Sequence, residues 1–195
     1  MFTGIIEIIG EIVGKKENQG NIEYTVKSPI TQELHINQSV SHNGVCLTVT
    51  NIQNDLYSVT VIRETINKSS LGELNLGNFV NLERSMPANG RFDGHIVLGH
   101  VDQVGICKSI KEDNGSHIFT FSYKEDQGNI TVEKGSICVN GVSLTVVNFQ
   151  KSEFSVAVIP YTFFHTNLQN LKTGDSVNLE FDIFGKYIKR ILDKY

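Results

Sequence analysis

The sequence predicts an all-β chain: two tandem homologous units, each a small closed barrel or Greek-key sandwich, then a short C-terminal amphipathic helix. Three observations carry that expectation. Residues 43–83 realign without a gap on residues 140–180, with about 20 of the 41 aligned positions identical, and self-similarity at that scale marks a duplicated unit. The start repeats as well, since residues 2–10 lie over residues 97–105 with Gly4 on Gly99 and Gly10 on Gly105. The local pattern is one of short β-branched runs bounded by Gly, Asn and Asp, not of helical periodicity.

In the first unit those runs cover residues 5–13, 46–51, 57–62 and 79–82; in the second they cover 101–106, 118–121, 143–147, 154–159 and 176–181. Strands at about ten-residue spacing with little helix between them favour closure, which also hides their edges. The break falls in the Pro- and Gly-containing residues 85–94, so the units are assigned to 1–87 and 95–183. Residues 184–195 depart from the strand pattern. Phe184, Tyr187, Ile188, Ile191 and Leu192 stand at i, i+3, i+4, i+7, i+8 spacing, one apolar stripe on a helix. So short a helix is marginal alone and has to bury its stripe on its own barrel or on another subunit. The lack of a matching segment in the first repeat favours the subunit contact.

Composition narrows the function classes. A net charge of −4 without basic clusters gives no electrostatic footprint for nucleic acid. No apolar run reaches the roughly 20 residues of a membrane span, and the opening MFTGII lacks the basic and apolar regions of a secretory signal, so a cytoplasmic location is expected. Three cysteines without a C-x-x-C spacing point to reduced thiols, not to a disulfide framework or a zinc site. His95 and His100 have no Cys or carboxylate set to complete a metal site. His35, His42, His117 and His165 are expected at the surface or in turns.

Each repeat has an Asn-Gly turn leading into a strand with two polar residues on one face: Cys46 and Thr48 in the first, Ser143 and Thr145 in the second. Taken alone such a face is more often structural than catalytic, but its recurrence suggests two similar ligand rims. The halves have also diverged, with Ile5 aligned on His100, Cys46 on Ser143, Arg63 on Pro160 and Glu64 on Tyr161. His100, between a glycine and a strand, is suited to proton transfer near neutral pH.

Four strings in this order, MFTGII, SHNGVCLTV, GHIVLGHVD and VNGVSLTV, resemble riboflavin synthase of the two-barrel type over almost the full length. The resemblance implies two six-stranded Greek-key barrels per subunit and a homotrimer joined through the C-terminal helices, with lumazine synthase as a pathway neighbour. It also implies the reaction. Two molecules of 6,7-dimethyl-8-ribityllumazine dismutate by four-carbon transfer to riboflavin and 5-amino-6-ribitylaminouracil, without cofactor or metal, at a site between the N-terminal barrel of one subunit and the C-terminal barrel of the next.

By matched position, the resemblance assigns Gly4, Ile5 and Ile6 to the N-terminal barrel's lumazine pocket. With them go Ser39, Cys46, Leu47 and Thr48, and the run Thr60, Val61, Ile62, Arg63, Glu64 and Thr65. Gly99, His100 and Val101 stand beside that pocket. The C-terminal barrel contributes Lys134, Ser143, Leu144 and Thr145, and the run Ile159, Pro160, Tyr161, Thr162, Phe163 and Phe164. His100 is the candidate for proton transfer, assisted by Ser143 or Thr145; Cys46, Ser143 or a held water is the nucleophile. Lys134 reads equally well as a solvated turn residue. Asn140 stands where relatives often carry Asp, so an amide replaces a carboxylate there. The alternative is a non-catalytic lumazine or flavin antenna protein, but such relatives lose the histidine and threonine that His100 and Thr145 retain here.

Overall fold

The computed structural model describes residues 1–125 and 129–192. Twelve strands form two closed antiparallel barrels with the same strand order. The N-terminal barrel (N-barrel) comprises β1 (Ile8–Asn18), β2 (Asn21–Lys27), β3 (Ser39–His42), β4 (Val45–Gln53), β5 (Leu56–Val61) and β6 (Phe79–Arg84). Around the barrel they run β1-β2-β5-β4-β3-β6. The C-terminal barrel (C-barrel) repeats this with β7 (Gln103–Asp113), β8 (Ser116–Ser122), β9 (Ser136–Val139), β10 (Val142–Gln150), β11 (Glu153–Val158) and β12 (Ser176–Phe181). Each unit is thus a barrel, not a sandwich. Alternation along the strands sends Ile12, Val26, Val49, Val59 and Leu82 into one interior and Phe119, Phe121, Val146, Val156 and Leu179 into the other.

Closure depends on features the repeats share. Register shifts fall between Ile12 and Gly14 and between Val49 and Asn51 in the first repeat, and at the equivalent Cys107/Ser109 and Val146/Asn148 in the second. Bulges of this kind bend and twist a strand, which lets six strands close on themselves. The Asn-Gly pairs take positive φ at both residues, 48° and 80° at Asn43-Gly44 and 47° and 82° at Asn140-Gly141, as two-residue hairpin turns require. They link β3 to β4 and β9 to β10, and meet back to back so closely that a Cβ on Gly44 would lie 2.9 Å from the Gly141 nitrogen.

Several elements differ from expectation. β3 and β9, four residues each, hold too little apolar alternation to stand out in sequence, whereas β2, outside the expected runs, alternates cleanly with Ile22, Tyr24 and Val26 inward. β1 begins at Ile8 and not at residue 5, and β7 at Gln103 and not at 101, because the preceding segments leave their own barrels. Two short helices, α1 (Arg63–Lys68) and α2 (Pro160–His165), follow β5 and β11. The C-terminal helix α3 covers Ile183–Leu192, and residues 193–195 of the expected helix lie outside the described residues. Its stripe is uncovered in the single chain, with Tyr187 66% and Leu192 69% exposed.

His42 is not at the surface. It is buried, its Nε2 lies 2.7 Å from the Tyr57 hydroxyl and its Nδ1 3.1 Å from the Val40 carbonyl. His117 is half-buried and stacked on Phe163 at 3.8 Å between ring centroids. Burial pushes His42 down to about 4, against its backbone hydrogen bond. Since the unfolded chain binds this proton near 6.5, it carries more protons than the folded chain between those values, and stability is lost as pH falls from about 6.5 to about 4. The second repeat has Val139 and Phe154 at these positions. The double substitution His42→Val with Tyr57→Phe is therefore expected to flatten the urea-unfolding free energy across that pH window. The native protein loses on the order of 3 kcal/mol more there than the variant.

Candidate active site

The segments ahead of β1 and β7 cross over. Phe2 and Val97 pair in a short antiparallel bridge, with the Phe2 N–H donating to the Val97 carbonyl at 2.7 Å and the Val97 N–H to the Phe2 carbonyl at 3.1 Å. Each segment is tied to its own barrel by a buried carboxylate on the last strand. Glu83 accepts the N–H groups of Thr3 at 2.6 Å and Gly4 at 3.0 Å; Glu180 accepts those of Leu98 at 2.7 Å and of Gly99 and His100 at 2.9 Å. Burial pushes both carboxyl groups up, while these N–H groups favour the charged form. The turn tips then serve the opposite barrel. The Ser143 N–H donates to the Gly4 carbonyl at 2.8 Å, and the Cys46 N–H to the Gly99 carbonyl at 2.9 Å.

This overturns one assignment from sequence. Gly4 sits on Ser143 and Ile6 packs against the C-barrel core, away from the N-barrel cleft, while Ile5 lines a hollow of about 470 Å³ with Gln38, Glu83, Arg84 and Met86. Gly99, His100 and Val101 are the segment at the N-barrel, where Val101 packs on its core. There a cleft of about 240 Å³ is lined by Val45, Cys46, Glu64, Thr65, Lys68, Ser69, Gly99, His100 and Val101. α1 delivers Glu64, Thr65 and Lys68 to it, and Glu64 pairs with Lys68 at 3.2 Å. In the C-barrel the same positions hold Tyr161 and His165, stacked at 4.1 Å between centroids. α1 therefore presents an ion pair where α2 presents stacked rings.

The structure brings Cys46 and His100 to one cleft, while Ser143 stands at the equivalent point of the C-barrel against the Gly4 lead-in. Ser143 has a different partner that sequence reasoning missed: His95 Nδ1 lies 2.6 Å from its hydroxyl oxygen. His95 is placed by its own N–H, donated to the Thr3 carbonyl at 3.0 Å. Burial pushes its imidazole down, with the Asp182 charge acting in the opposite sense. A neutral ring can accept the Ser143 hydroxyl proton through Nδ1. No sequence signal pointed to this pairing, which depends on the crossing of the lead-ins.

Other assigned residues fall in varied places. Thr48 and Thr145 are exposed on their strands, and Ser39 is half-buried opposite Thr48. The side chains of Leu47, Val61 and Leu144 point into barrel interiors, as alternation dictates, and do not face a cleft. Thr60 lines a separate hollow with Lys16, Asn18, Asn21 and Glu23. Ile62 and Arg63 open α1, where the Arg63 N–H bonds Asn21 Oδ1 at 3.2 Å. Ile159, Pro160, Tyr161 and Phe164 are exposed about α2, Thr162 is half-buried, and Phe163 packs toward the barrel against His117. Lys134 is an exposed turn residue at φ 62°. Asn140 accepts the Asn178 N–H at 2.8 Å through Oδ1, a turn-anchoring contact that needs only an acceptor.

A lumazine binding domain profile matches residues 3–85 and again 98–182. The chain belongs to the lumazine-binding family. Family members similar along the whole chain include riboflavin synthase of Actinobacillus pleuropneumoniae, 42% identical over all of this chain and 91% of the relative. That of Bacillus subtilis (strain 168) is 40% identical with the same coverage. The Saccharomyces cerevisiae (strain S288c) riboflavin synthase is 36% identical over 97% of this chain and 85% of its own length. Among solved structures, LumP complexed with riboflavin superposes with a TM-score of 0.86 at 26% identity, covering 93% of this chain and 100% of that one. LumP complexed with 6,7-dimethyl-8-(1'-D-ribityl) lumazine gives 0.83 at 25%, over 93% and 99%.

The close approach of Gly99 to Cys46 gives this geometry a direct check. Gly99 and Gly115 have φ of 78° and 83°, but a Cβ on Gly99 would lie 2.6 Å from the Cys46 Cβ, whereas one on Gly115 meets nothing within 4 Å. Gly115→Ala is expected to cost about 1–2 kcal/mol in urea unfolding from backbone strain alone. Gly99→Ala should cost about 2 kcal/mol more from overpacking, and equal losses would show that the lead-in does not press on β4.

Proposed function

We infer that the chain is an enzyme of riboflavin formation. It takes two molecules of 6,7-dimethyl-8-ribityllumazine and transfers a four-carbon unit from one to the other, giving riboflavin and 5-amino-6-ribitylaminouracil. The observation that carries this is a pair of pseudo-equivalent positions with different chemistry, Cys46 beside His100 at the N-barrel cleft and Ser143 beside His95 at the matching strand of the C-barrel. The chain's similarity of 36–42% to riboflavin synthases over nearly its whole length supports the synthase over the antenna alternative, whose LumP-type fold neighbours stand at 25–26%.

Two copies of one reactant call for two related sites, and holding them in opposed orientation is worth on the order of 7 to 11 kcal/mol over free encounter. The chemistry needs a proton removed from the methyl at C7 of one lumazine and a nucleophile on C7 of the other. His100 is the group assigned the proton transfer, a role supported by its exposure at the N-barrel cleft and by its backbone bond to Glu180. Ser143, with an imidazole on its oxygen, is better equipped as nucleophile than Cys46. In this scheme Thr145 assists, and the clefts of one chain work with those of a neighbour: the N-barrel of one subunit faces the C-barrel of the next in a cytoplasmic homotrimer held by α3.

Two measurements test this. Purified protein mixed with 6,7-dimethyl-8-ribityllumazine and no added cofactor is expected to yield one riboflavin per two lumazines, followed by absorbance. Binding with a fluorescence change but no product would point to the antenna role. Mixing inactive His100→Gln with inactive Ser143→Ala protein and allowing subunits to exchange is expected to restore about a quarter to a third of native activity, because mixed oligomers regain unmutated sites only across subunits. No recovery would place both residues in one chain's site.

A further inference from the structure

We propose that Lys186 on α3 and Asp102 are positioning residues for His100, so that the C-terminal helix sets the geometry of the N-barrel cleft. This rests on the role given to His100 above. The His100 segment is held at both ends by β12. Glu180 takes the N–H groups of Leu98, Gly99 and His100, and two residues on, Asp102 donates its N–H to the Leu179 carbonyl at 2.9 Å and accepts the Phe181 N–H on Oδ2, also at 2.9 Å. The same Oδ2 lies 2.6 Å from Lys186 Nζ.

Comparison of the repeats shows why that cation matters. Glu7 occupies the position of Asp102 in the first half and accepts the Arg84 N–H at 2.6 Å, as Asp102 accepts that of Phe181. There the charge is met from the same strand, by Arg84 Nε at 2.9 Å from Glu7 Oε2. In the second half that strand position is Phe181, buried in the barrel, and cannot supply a charge. The cation comes instead from α3, the element with no counterpart in the first repeat. The pair is also the most enclosed of the ion pairs among the described residues, its side chains 27% and 19% exposed against 62% and 70% for Lys68 and Glu64. Solvent and salt screen such a pair less than a surface one, and loss of one partner leaves a half-buried charge unmet. Lys186 also favours the ionised form of Glu180, the anchor of His100 itself. Because Lys186 shares a short helix with the uncovered stripe of Phe184, Tyr187 and Ile188, whatever holds that stripe also holds the cation over Asp102.

The test uses full-length protein. Lys186→Met keeps the stem and removes the charge. It is expected to lower kcat about tenfold or more, the scale of a small misplacement of a reacting group, while lumazine affinity by fluorescence titration changes less than about threefold. The His100 ring resonances, followed by nitrogen-15 NMR at fixed pH, should move in position. Lys186→Arg, which keeps a cation at Asp102, should recover most of both readouts. The proposal is overturned if Lys186→Met leaves kcat and the His100 ring resonances as in the native protein, or if only thermal stability falls. If native protein forms no riboflavin, the proposed function fails instead, and the NMR ring resonances still decide whether Lys186 positions His100.

Discussion

The exchange of lead-in segments between the barrels governs the rest of the molecule. A free backbone turn at a barrel mouth would leave several N–H groups without partners, and burying them so costs about 1–3 kcal/mol each. Glu83 and Glu180 remove that cost by accepting two and three of them. With each turn so fixed, its carbonyl is free to receive the first strand of the other barrel's site, at Ser143 and at Cys46. Phe2, Val97 and Cys138 fill the space beneath. The N-barrel cleft is not complete on its own repeat, since Gly99, His100 and Val101 come from the second.

The same reciprocity runs through the asparagines where the barrels meet. Asn43 Oδ1 accepts the Asn81 N–H and Asn140 Oδ1 the Asn178 N–H, while the side-chain amides of Asn81 and Asn178 donate to the carbonyls of Asn140 and Asn43. These groups are buried and satisfied, and such a network specifies one arrangement because any sliding of one barrel on the other orphans several at once. It sets the two barrels in a fixed mutual geometry within the chain.

On that symmetric frame the differences carry the chemistry. Hydrophobic positions of the two barrels exchange freely, and even the His42–Tyr57 pair is replaced by an apolar one in the second core. At the mouths the divergence has a direction: His100 against Ile5, Cys46 against Ser143, and an ion pair on α1 against stacked rings on α2. Two copies of one ligand would therefore meet unlike groups, which is what a reaction making unlike products from identical reactants requires.

The duplication, the β character of both halves, the paired Asn-Gly turns and the stripe on α3 were all legible in the sequence, because each depends on local pattern: identity at a fixed offset, period-two alternation, positive φ at Asn-Gly, and helical spacing of Phe184, Tyr187 and Ile188. Short strands such as β3 and β9 were hidden, since four residues hold too little pattern to register. The candidate residues His100, Cys46 and Ser143 could be named from their strings, but not their partners. That Gly4 serves Ser143, that His95 lies on the Ser143 hydroxyl and that Lys186 reaches Asp102 follow from chain crossings between residues some 50 to 140 apart, or from a helix folding back on its own barrel. Local propensity decides which elements form; only closure of both barrels and the hydrogen bonds between them decide which side chains meet.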